Sequence, residues 1–290
     1  MNQASDTVIE VNGLRKKYGD TEAVAGIDLS IRRGEIFSFL GPNGAGKSTA
    51  VEILEGFRHR DGGSARVLGE DPGKAGRAWR SRVGIVWQKE TQVPKLPVRD
   101  VVRHFAGYYP LAHDPDEVVE RVGLGPKAKE LAESLSGGQR RRLDVALGMV
   151  GRPELLFLDE PTTGFDPKAR REFWGLIRDL ADGGTTVVLT THYLEEAEEL
   201  ADRVCVIARG RIRAVDTPAA LDGRASAQAT VGWLEDGQRR EIRTDEPTRA
   251  VSELATRFVG EVPELSVHRP TLEETYLGMI QDDEAEEAAV

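Results

Sequence analysis

The sequence has little cysteine and no long apolar run. Its 290 residues include one cysteine, Cys205, which excludes an internal disulfide and a zinc site built from cysteines alone. No run approaches the roughly 18 apolar residues that a membrane-spanning helix needs. The first residues also lack the basic region and apolar stretch of a secretory signal. We therefore expect a soluble protein that needs a partner for any role at a membrane.

Basic charge is also in short supply. Lysine and arginine total 39 against 49 aspartates and glutamates, for a net charge of −10. Because proteins that hold nucleic acid usually present a basic face, we expect no nucleic acid partner. Five of the acidic residues fall within 281–290, and this local charge predicts an acidic, disordered tail over 281–290.

Short β-type segments and helical patterns alternate along most of the chain, which predicts an α/β fold with a mostly parallel sheet. The segments Glu154–Leu158 and Thr185–Thr190 are almost entirely apolar or β-branched, as is typical of parallel strands buried on both faces. Strand patterns give way to helical ones from about 89 to 150. A main domain is predicted over 1–220, followed by a small α+β domain over 225–280.

A glycine-rich segment lies between a β-type segment and a helical pattern. Its glycines let successive backbone N–H groups turn inward around a phosphate, and the start of the following helix adds its positive end. The pattern predicts that Lys47 reaches the β- and γ-phosphates of a nucleotide and that the Ser48 hydroxyl binds Mg²⁺. This segment matches the P-loop pattern G-x-x-x-x-G-K-[ST], and the P-loop comprises Gly41, Pro42, Asn43, Gly44, Ala45, Gly46, Lys47, Ser48 and Thr49.

Four further polar side chains follow apolar segments. Asp159 and Glu160 come directly after four apolar residues, and because unpaired buried charge is costly they need a partner. Mg²⁺ suits Asp159, while Glu160 can orient or deprotonate an attacking water. Gln88 and His192 also end β-type segments, and the carboxyl ends of parallel strands share one edge of a sheet. Each taken alone would more often be structural, but the shared position favours a functional role.

A second anion-binding pattern, LSGGQ at Leu135–Gln139, opens a helix and is called the signature below. Ser136 is placed to cap that helix, and Gly137 and Gly138 expose backbone N–H groups. Two such sites on one chain could close a nucleotide between two chains, whereas the alternative is a plain capped helix. The three arginines after it, residues 140–142, could support phosphate binding, but such a run is more typical of a solvated helix face.

These motifs, in this order, resemble the nucleotide-binding subunit of ATP-binding cassette (ABC) transporters over about residues 8–220. The resemblance implies a P-loop NTPase core, an antiparallel β subdomain and a helical subdomain that carries the LSGGQ signature. It implies a homodimer closed around two molecules of ATP with Mg²⁺. It assigns catalysis to Glu160, His192 and Gln88, metal binding to Ser48, Gln88 and Asp159, adenine stacking to Tyr18, and nucleotide contacts to the P-loop, Ser136, Gly137, Gly138, Gln139 and Asp166.

The segments PTTGFDPKARR, THYLEEAEELADRV and RPTLEETYLGMI are similar to type-two exporter subunits, including daunorubicin-type multidrug exporters. This similarity implies a peripheral protein on the cytoplasmic face of the membrane, with a separate polytopic permease, that drives efflux of drugs, lipids or similar compounds. An importer subunit stays open as an alternative. The other alternative is a soluble ABC-type ATPase with a non-transport role, although one P-loop and one LSGGQ in a compact segment count against it.

Overall fold

The computed structural model describes residues 6–88, 95–258 and 260–288. The chain divides into two compact units, Met1–Val215 and Asp216–Val290. In the first unit the strands are β1 (Thr7–Tyr18), β2 (Thr21–Arg32), β3 (Ile36–Leu40), β4 (Gly62–Val67), β5 (Val83–Val86), β6 (Leu155–Asp159), β7 (Thr186–Thr191), β8 (Arg203–Ala208) and β9 (Arg211–Asp216). Its helices are α1 (Lys47–Leu54), α2 (Arg77–Arg80), α3 (Val98–Ala106), α4 (Pro115–Arg121), α5 (Gly137–Met149), α6 (Pro167–Asp182) and α7 (Leu194–Leu200).

A six-stranded sheet, in the order β5-β6-β7-β3-β8-β9, forms the centre of the first unit. The pairs from β5 through β8 are parallel. Every residue of β3 and β7 is buried, because apolar side chains cover both faces of the sheet. The carboxyl ends of β3, β6 and β7, at Leu40, Asp159 and Thr191, therefore meet at one edge.

A smaller antiparallel sheet, in the order β2-β1-β4, packs against one face of the central sheet. Its buried residues join Phe37 and Phe39 of β3 and Ile53 of α1 in one apolar cluster. This layer fixes α1 beside the end of β3, so the glycine-rich segment between them is held at both ends.

Helices α3, α4 and α5 pack on the opposite face, where the sequence predicts helices. Their valines and leucines, including Val101, Val118 and Leu143, join the second large cluster with Leu156 of β6 and Phe173 of α6. Within the part of the chain that the structure describes, no helix has both the length and the apolar character needed to cross a membrane.

The second unit contains β10 (Ala229–Glu235), β11 (Gln238–Thr244), α8 (Pro247–Arg257), β12 (Ser266–His268) and α9 (Leu272–Ala288). The strands form an antiparallel sheet in the order β11-β10-β12. Val231 and Trp233 of β10 pack with Ala250 and Leu254 of α8 as a separate core. The order strand, strand, helix, strand, helix is the order that the sequence predicts.

The end of the chain differs from its prediction. The sequence predicts a disordered acidic tail over 281–290, whereas α9 continues through Ala288 in the structure. Alanine and glutamate have high helix propensity, and extending an existing helix avoids the cost of nucleating a new one. Residues 289–290 lie outside the described residues.

Candidate nucleotide site

The glycine-rich segment turns from β3 into α1 through positions that only glycine tolerates. Gly46 has φ of +102°, and a Cβ there would lie 2.2 Å from the Ala23 carbonyl oxygen. A Cβ on Gly41 would lie 2.2 Å from the Ile207 carbonyl oxygen. No described side chain caps α1 at its start, so the first backbone N–H groups of the helix are left for a ligand.

Lys47 is buried in this loop, with 5% of its surface exposed. Its Nζ donates hydrogen bonds to the carbonyl oxygens of Gly41, at 2.6 Å, and Pro42, at 3.0 Å. Burial lowers the pKa of the Lys47 ammonium, and the nearby carboxylates of Glu160 and Asp159 partly oppose that shift. The loop thus holds a desolvated positive charge, which interacts more strongly with an anion than a solvated one does.

A cavity of about 480 Å³ opens above the loop. It is bounded on one side by Tyr18, a residue that is 41% exposed, and on the other by Gln88 and Glu160. The Arg58 guanidinium lies 5.2 Å from the centre of the Tyr18 ring, an arrangement typical of a cation–π contact. The lining comprises Tyr18, Ala23, Asn43, Gly44, Ala45, Gly46, Lys47, Ser48, Thr49, Gln88 and Glu160.

Asp159 and Glu160 are fixed at the end of β6 by Thr190 of the neighbouring strand. The Thr190 hydroxyl donates to Asp159 Oδ1 at 2.5 Å, and the Glu160 N–H donates to the Thr190 carbonyl at 3.1 Å. Glu160 has φ of +43°, a left-handed conformation that costs about 1–3 kcal/mol in a residue with a side chain. Such a conformation persists only where its surroundings hold it.

The Glu160 carboxylate contacts both other residues that the resemblance assigns to catalysis. Gln88 Nε2 donates to Glu160 Oε2 at 2.8 Å, and His192 Nδ1 lies 3.2 Å from Glu160 Oε1. Thr163 donates to Glu160 Oε2 at 3.4 Å. Asp159 and His192 do not line the cavity. Asp159 is bonded to Thr190, which also accepts from the Glu160 N–H, and His192 contacts the Glu160 carboxylate.

Three oxygen-bearing side chains are available to a metal ion. Ser48 supplies an exposed hydroxyl, Asp159 a half-buried carboxylate and Gln88 an exposed amide. Among the described residues, no group of three or more histidine, cysteine, aspartate or glutamate side chains is arranged so that it could hold a metal ion by itself. This donor set fits Mg²⁺, which is commonly held by one or two carboxylates together with substrate phosphates and water.

The LSGGQ residues lie apart from the P-loop cavity. Ser136 Oγ accepts a hydrogen bond from the Gln139 N–H, and the Gln139 side chain accepts from the Ser136 N–H, which completes a capping box at the start of α5. A second cavity of about 440 Å³, which shares no lining residue with the first, is lined in part by Ser136, Gly138, Gln139 and Asp166. Gly137 lines a third cavity.

Asp166 caps α6 in the same way. Its Oδ1 accepts from the N–H groups of Lys168 and Ala169, each at 2.9 Å. The hydrogen bond from Ala169 is the main cause that lowers the pKa of the Asp166 carboxyl. Ser136 and Asp166 therefore present the starts of two helices to one cavity.

The sequence motifs did not identify Arg141 as a residue of the site. The prediction that the arginine run forms a solvated helix face is wrong at this position. Arg141 is 7% exposed, and its guanidinium donates to the carbonyl oxygens of Asp159, Pro161 and Trp87. A signal was present, because helical periodicity places Arg141 on one face with Val145 and Gly148, and all three are buried.

Known proteins that are similar to this chain also have ATP-binding functions in their names. The sequence pattern of the ABC transporter family matches residues 24–163. The chain is 38% identical to the daunorubicin resistance ATP-binding protein DrrA3 of Streptomyces coeruleorubidus, over 96% of this chain and 98% of that protein. It is 43% identical to the Nod factor export ATP-binding protein I of Ralstonia nicotianae, over 71% and 66% of the two chains.

Among solved structures, cbiO1 of Clostridium perfringens, part of an ABC transporter complex, matches with a TM-score of 0.68 at 30% identity. The match covers 74% of this chain and 90% of cbiO1. The fold and the cavity define a P-loop ATPase. The chain belongs to the ABC transporter family, as a subunit that binds and hydrolyses ATP. The predictions of the family, the α/β P-loop fold and the ATPase activity are confirmed.

Proposed function

We propose that this ATPase drives efflux of drugs, lipids or similar compounds through a separate membrane subunit. The observation that carries the proposal is the cavity in which the P-loop, Gln88 and Glu160 meet, in a chain similar along its length to two proteins named for daunorubicin resistance. A third relative is named for Nod factor export. Choice of cargo then lies with the membrane subunit, since this chain supplies the ATPase site.

In this proposal the polar and aromatic residues at the cavity, and the two residues next to it, have distinct physical roles. The start of α1 and Lys47 bind the phosphates, and Tyr18 stacks on adenine. Mg²⁺ held by Ser48, Gln88 and Asp159 would neutralise charge on the phosphates. Glu160 orients the attacking water and accepts its proton, and His192 holds the phosphate and that water. Catalysis of this kind relies on positioning and charge stabilisation.

The signature residues suit a second copy of the chain. Their cavity shares no lining residue with the P-loop cavity, so a head-to-tail homodimer would let each copy complete the other's nucleotide site. Ser136, Gly137, Gly138, Gln139 and Asp166 would contact the ATP bound by the partner. The nucleotide-binding domain then spans 1–220, with its helical subdomain at about 89–150 and a small C-terminal domain at 225–280.

The membrane subunit is proposed to be a polytopic permease, with this chain bound peripherally at the cytoplasmic face. Closure of the dimer on ATP would pull on the permease through the helical subdomain and the region after Gln88, and hydrolysis would reopen the dimer. Residues 89–94 of that region lie outside the described residues. Nucleic acid is not an expected partner, given the net charge of −10. The relatives are named for resistance and export, and they lend no support to a soluble ATPase with a non-transport role.

The cross-subunit role predicts the effect of Ser136→Arg. A long cationic side chain at the start of α5 would fill the space that the partner's nucleotide needs. We expect ATP hydrolysis and ATP-dependent dimerisation to be lost, while ATP binding by the monomer stays at the wild-type value. Loss of the helix cap would itself cost about 1 kcal/mol of stability, which thermal unfolding measures separately.

Ser134→Arg is the matched control, since Ser134 is exposed two residues earlier and its hydroxyl donates to the nearby Leu131 carbonyl. It should leave hydrolysis unchanged. Weaker ATP binding by the Ser136→Arg monomer would contradict the cross-subunit role.

Transport itself is tested by identifying the partner. Tagged Glu160→Gln protein is expressed in its native host, membranes are solubilised with ATP present, and co-purifying proteins are identified by mass spectrometry. The expected result is a stoichiometric partner with several membrane-spanning helices. A soluble homodimer alone, or one that carries ribosomes or DNA, would overturn the transport proposal and leave the ATPase activity intact.

A further inference from the structure

One buried guanidinium joins three backbone segments of the ATPase site. Arg141 Nη2 donates to the Asp159 carbonyl at 2.6 Å, and Nε donates to the Pro161 carbonyl at 3.1 Å. Its Nη1 donates to the carbonyl of Trp87, the residue before Gln88. The side chain therefore reaches from α5 to the ends of β5 and β6 and to the loop that follows β6.

The positions of these carbonyls matter more than their number. Asp159 and Pro161 flank Glu160, which the chain holds in the left-handed conformation at φ of +43°. The Glu160 N–H is tied to Thr190, and Arg141 fixes the peptide group that precedes Glu160 and the one that follows Pro161. The third carbonyl belongs to Trp87, so the same guanidinium also anchors the backbone that leads into Gln88.

The shape of arginine suits this arrangement. A guanidinium presents five N–H donors in a rigid plane, so it can serve three acceptors in fixed directions. A lysine ammonium has three donors on a flexible stem and a different geometry, so it cannot keep the three carbonyls in the same places.

We propose that Arg141 is a positioning residue that sets the Glu160 carboxylate and the Gln88 amide in their catalytic arrangement from the signature helix. Its guanidinium acts through the backbone before and after Glu160 and before Gln88, because the carbonyl oxygens of Asp159, Pro161 and Trp87 accept its hydrogen bonds. The inference rests on the catalytic role proposed for Glu160.

The same contact links the two sites on the chain. Arg141 lies on α5, the helix whose start carries Ser136 and Gly138. A third cavity of about 300 Å³ contains Arg141 together with Gly138, Gln88 and Glu160, so it shares residues with both the P-loop cavity and the signature cavity. A nucleotide that shifts the start of α5 would move the guanidinium, and through it Glu160 and Gln88.

Arg141→Lys in the full-length protein tests the assignment. Because small displacements of catalytic groups are costly, kcat should fall roughly 10- to 100-fold, whereas KM and the monomer's affinity for ATP should stay within about twofold. In the Glu160→Gln background the same change should add little further loss to the single-turnover rate, because the two residues act as one unit. Arg141→Gln, which keeps a planar amide with fewer donors, should show the same kcat loss with unchanged ATP affinity.

Arg82→Lys is the matched control. Arg82 also ties β5 to β6, through Glu154 at 2.6 Å, but at the amino ends of these strands, away from the cavity. It should change the melting temperature without changing kcat. An Arg141→Lys protein with wild-type kcat would overturn the inference, as would a parallel loss of kcat, ATP affinity and melting temperature in both Arg141 variants. Continued turnover by Glu160→Gln would instead overturn the role of Glu160 on which the inference rests.

Discussion

Glu160→Gln is expected to bind ATP as the wild type does and to lose ATP turnover. The glutamine side chain has the same shape, and its amide oxygen can still accept from Gln88 Nε2, which lies 2.8 Å from the carboxylate in the wild type. What disappears is the negative charge and the ability to take a proton from water. General bases of this kind contribute roughly 10²- to 10⁴-fold, so steady-state hydrolysis should fall by that factor.

A protein that binds ATP and cannot hydrolyse it should accumulate in the closed dimer. Light scattering coupled to size exclusion, with Mg²⁺ and ATP present, measures the dimer, and release of phosphate measures turnover. Glu195→Gln is the control, because Glu195 is an exposed glutamate that contacts Arg170 outside the cavity. Sustained hydrolysis by Glu160→Gln, at a rate near that of Glu195→Gln, would refute the assignment of the general base.

The parts of the site that the sequence predicted are those that depend on local chain geometry. The P-loop requires glycine where a Cβ would strike a carbonyl oxygen, as at Gly41 and Gly46, so the motif carries its own structural reason. Asp159 is the last residue of the buried strand β6 and His192 directly follows β7, and the carboxyl ends of parallel strands meet at one edge of a sheet. The contact between Glu160 and His192 is expected from that rule alone, because both residues stand at the carboxyl ends of neighbouring strands.

Other features arise from contacts between distant segments. Strand β4 has the sequence GGSARV, which has low strand propensity, and its pairing with β1 decides its conformation. Arg141 stands in an arginine run that is typical of a solvated face, but three carbonyls from residues 87, 159 and 161 surround it. These acceptors are 18 to 54 positions away along the chain, so a reading of local pattern does not identify them.

Lys47→Ala is expected to weaken ATP binding strongly with little change in stability. Burial removes water from the Lys47 ammonium and lowers its pKa. The charged form therefore carries a desolvation cost, which attraction to a bound phosphate offsets. Loss of a charge-assisted hydrogen bond typically costs about 1.5–3 kcal/mol, which corresponds to a roughly 10- to 150-fold weaker Kd. Calorimetric titration with a non-hydrolysable ATP analogue and Mg²⁺ measures it.

The stability of the same variant separates ligand binding from folding. Residue 47 is the first residue of α1, and alanine, which would replace the lysine there, is the best helix former. Removal of a buried charge also offsets the loss of the two hydrogen bonds to the Gly41 and Pro42 carbonyls. We therefore expect a melting temperature close to that of the wild type. Lys127→Ala is the control, because Lys127 lies outside the cavity and pairs with Glu130 at 2.8 Å. It should change neither the ATP affinity nor the melting temperature. Unchanged nucleotide affinity in Lys47→Ala would refute the phosphate site, because no other described lysine lines that cavity.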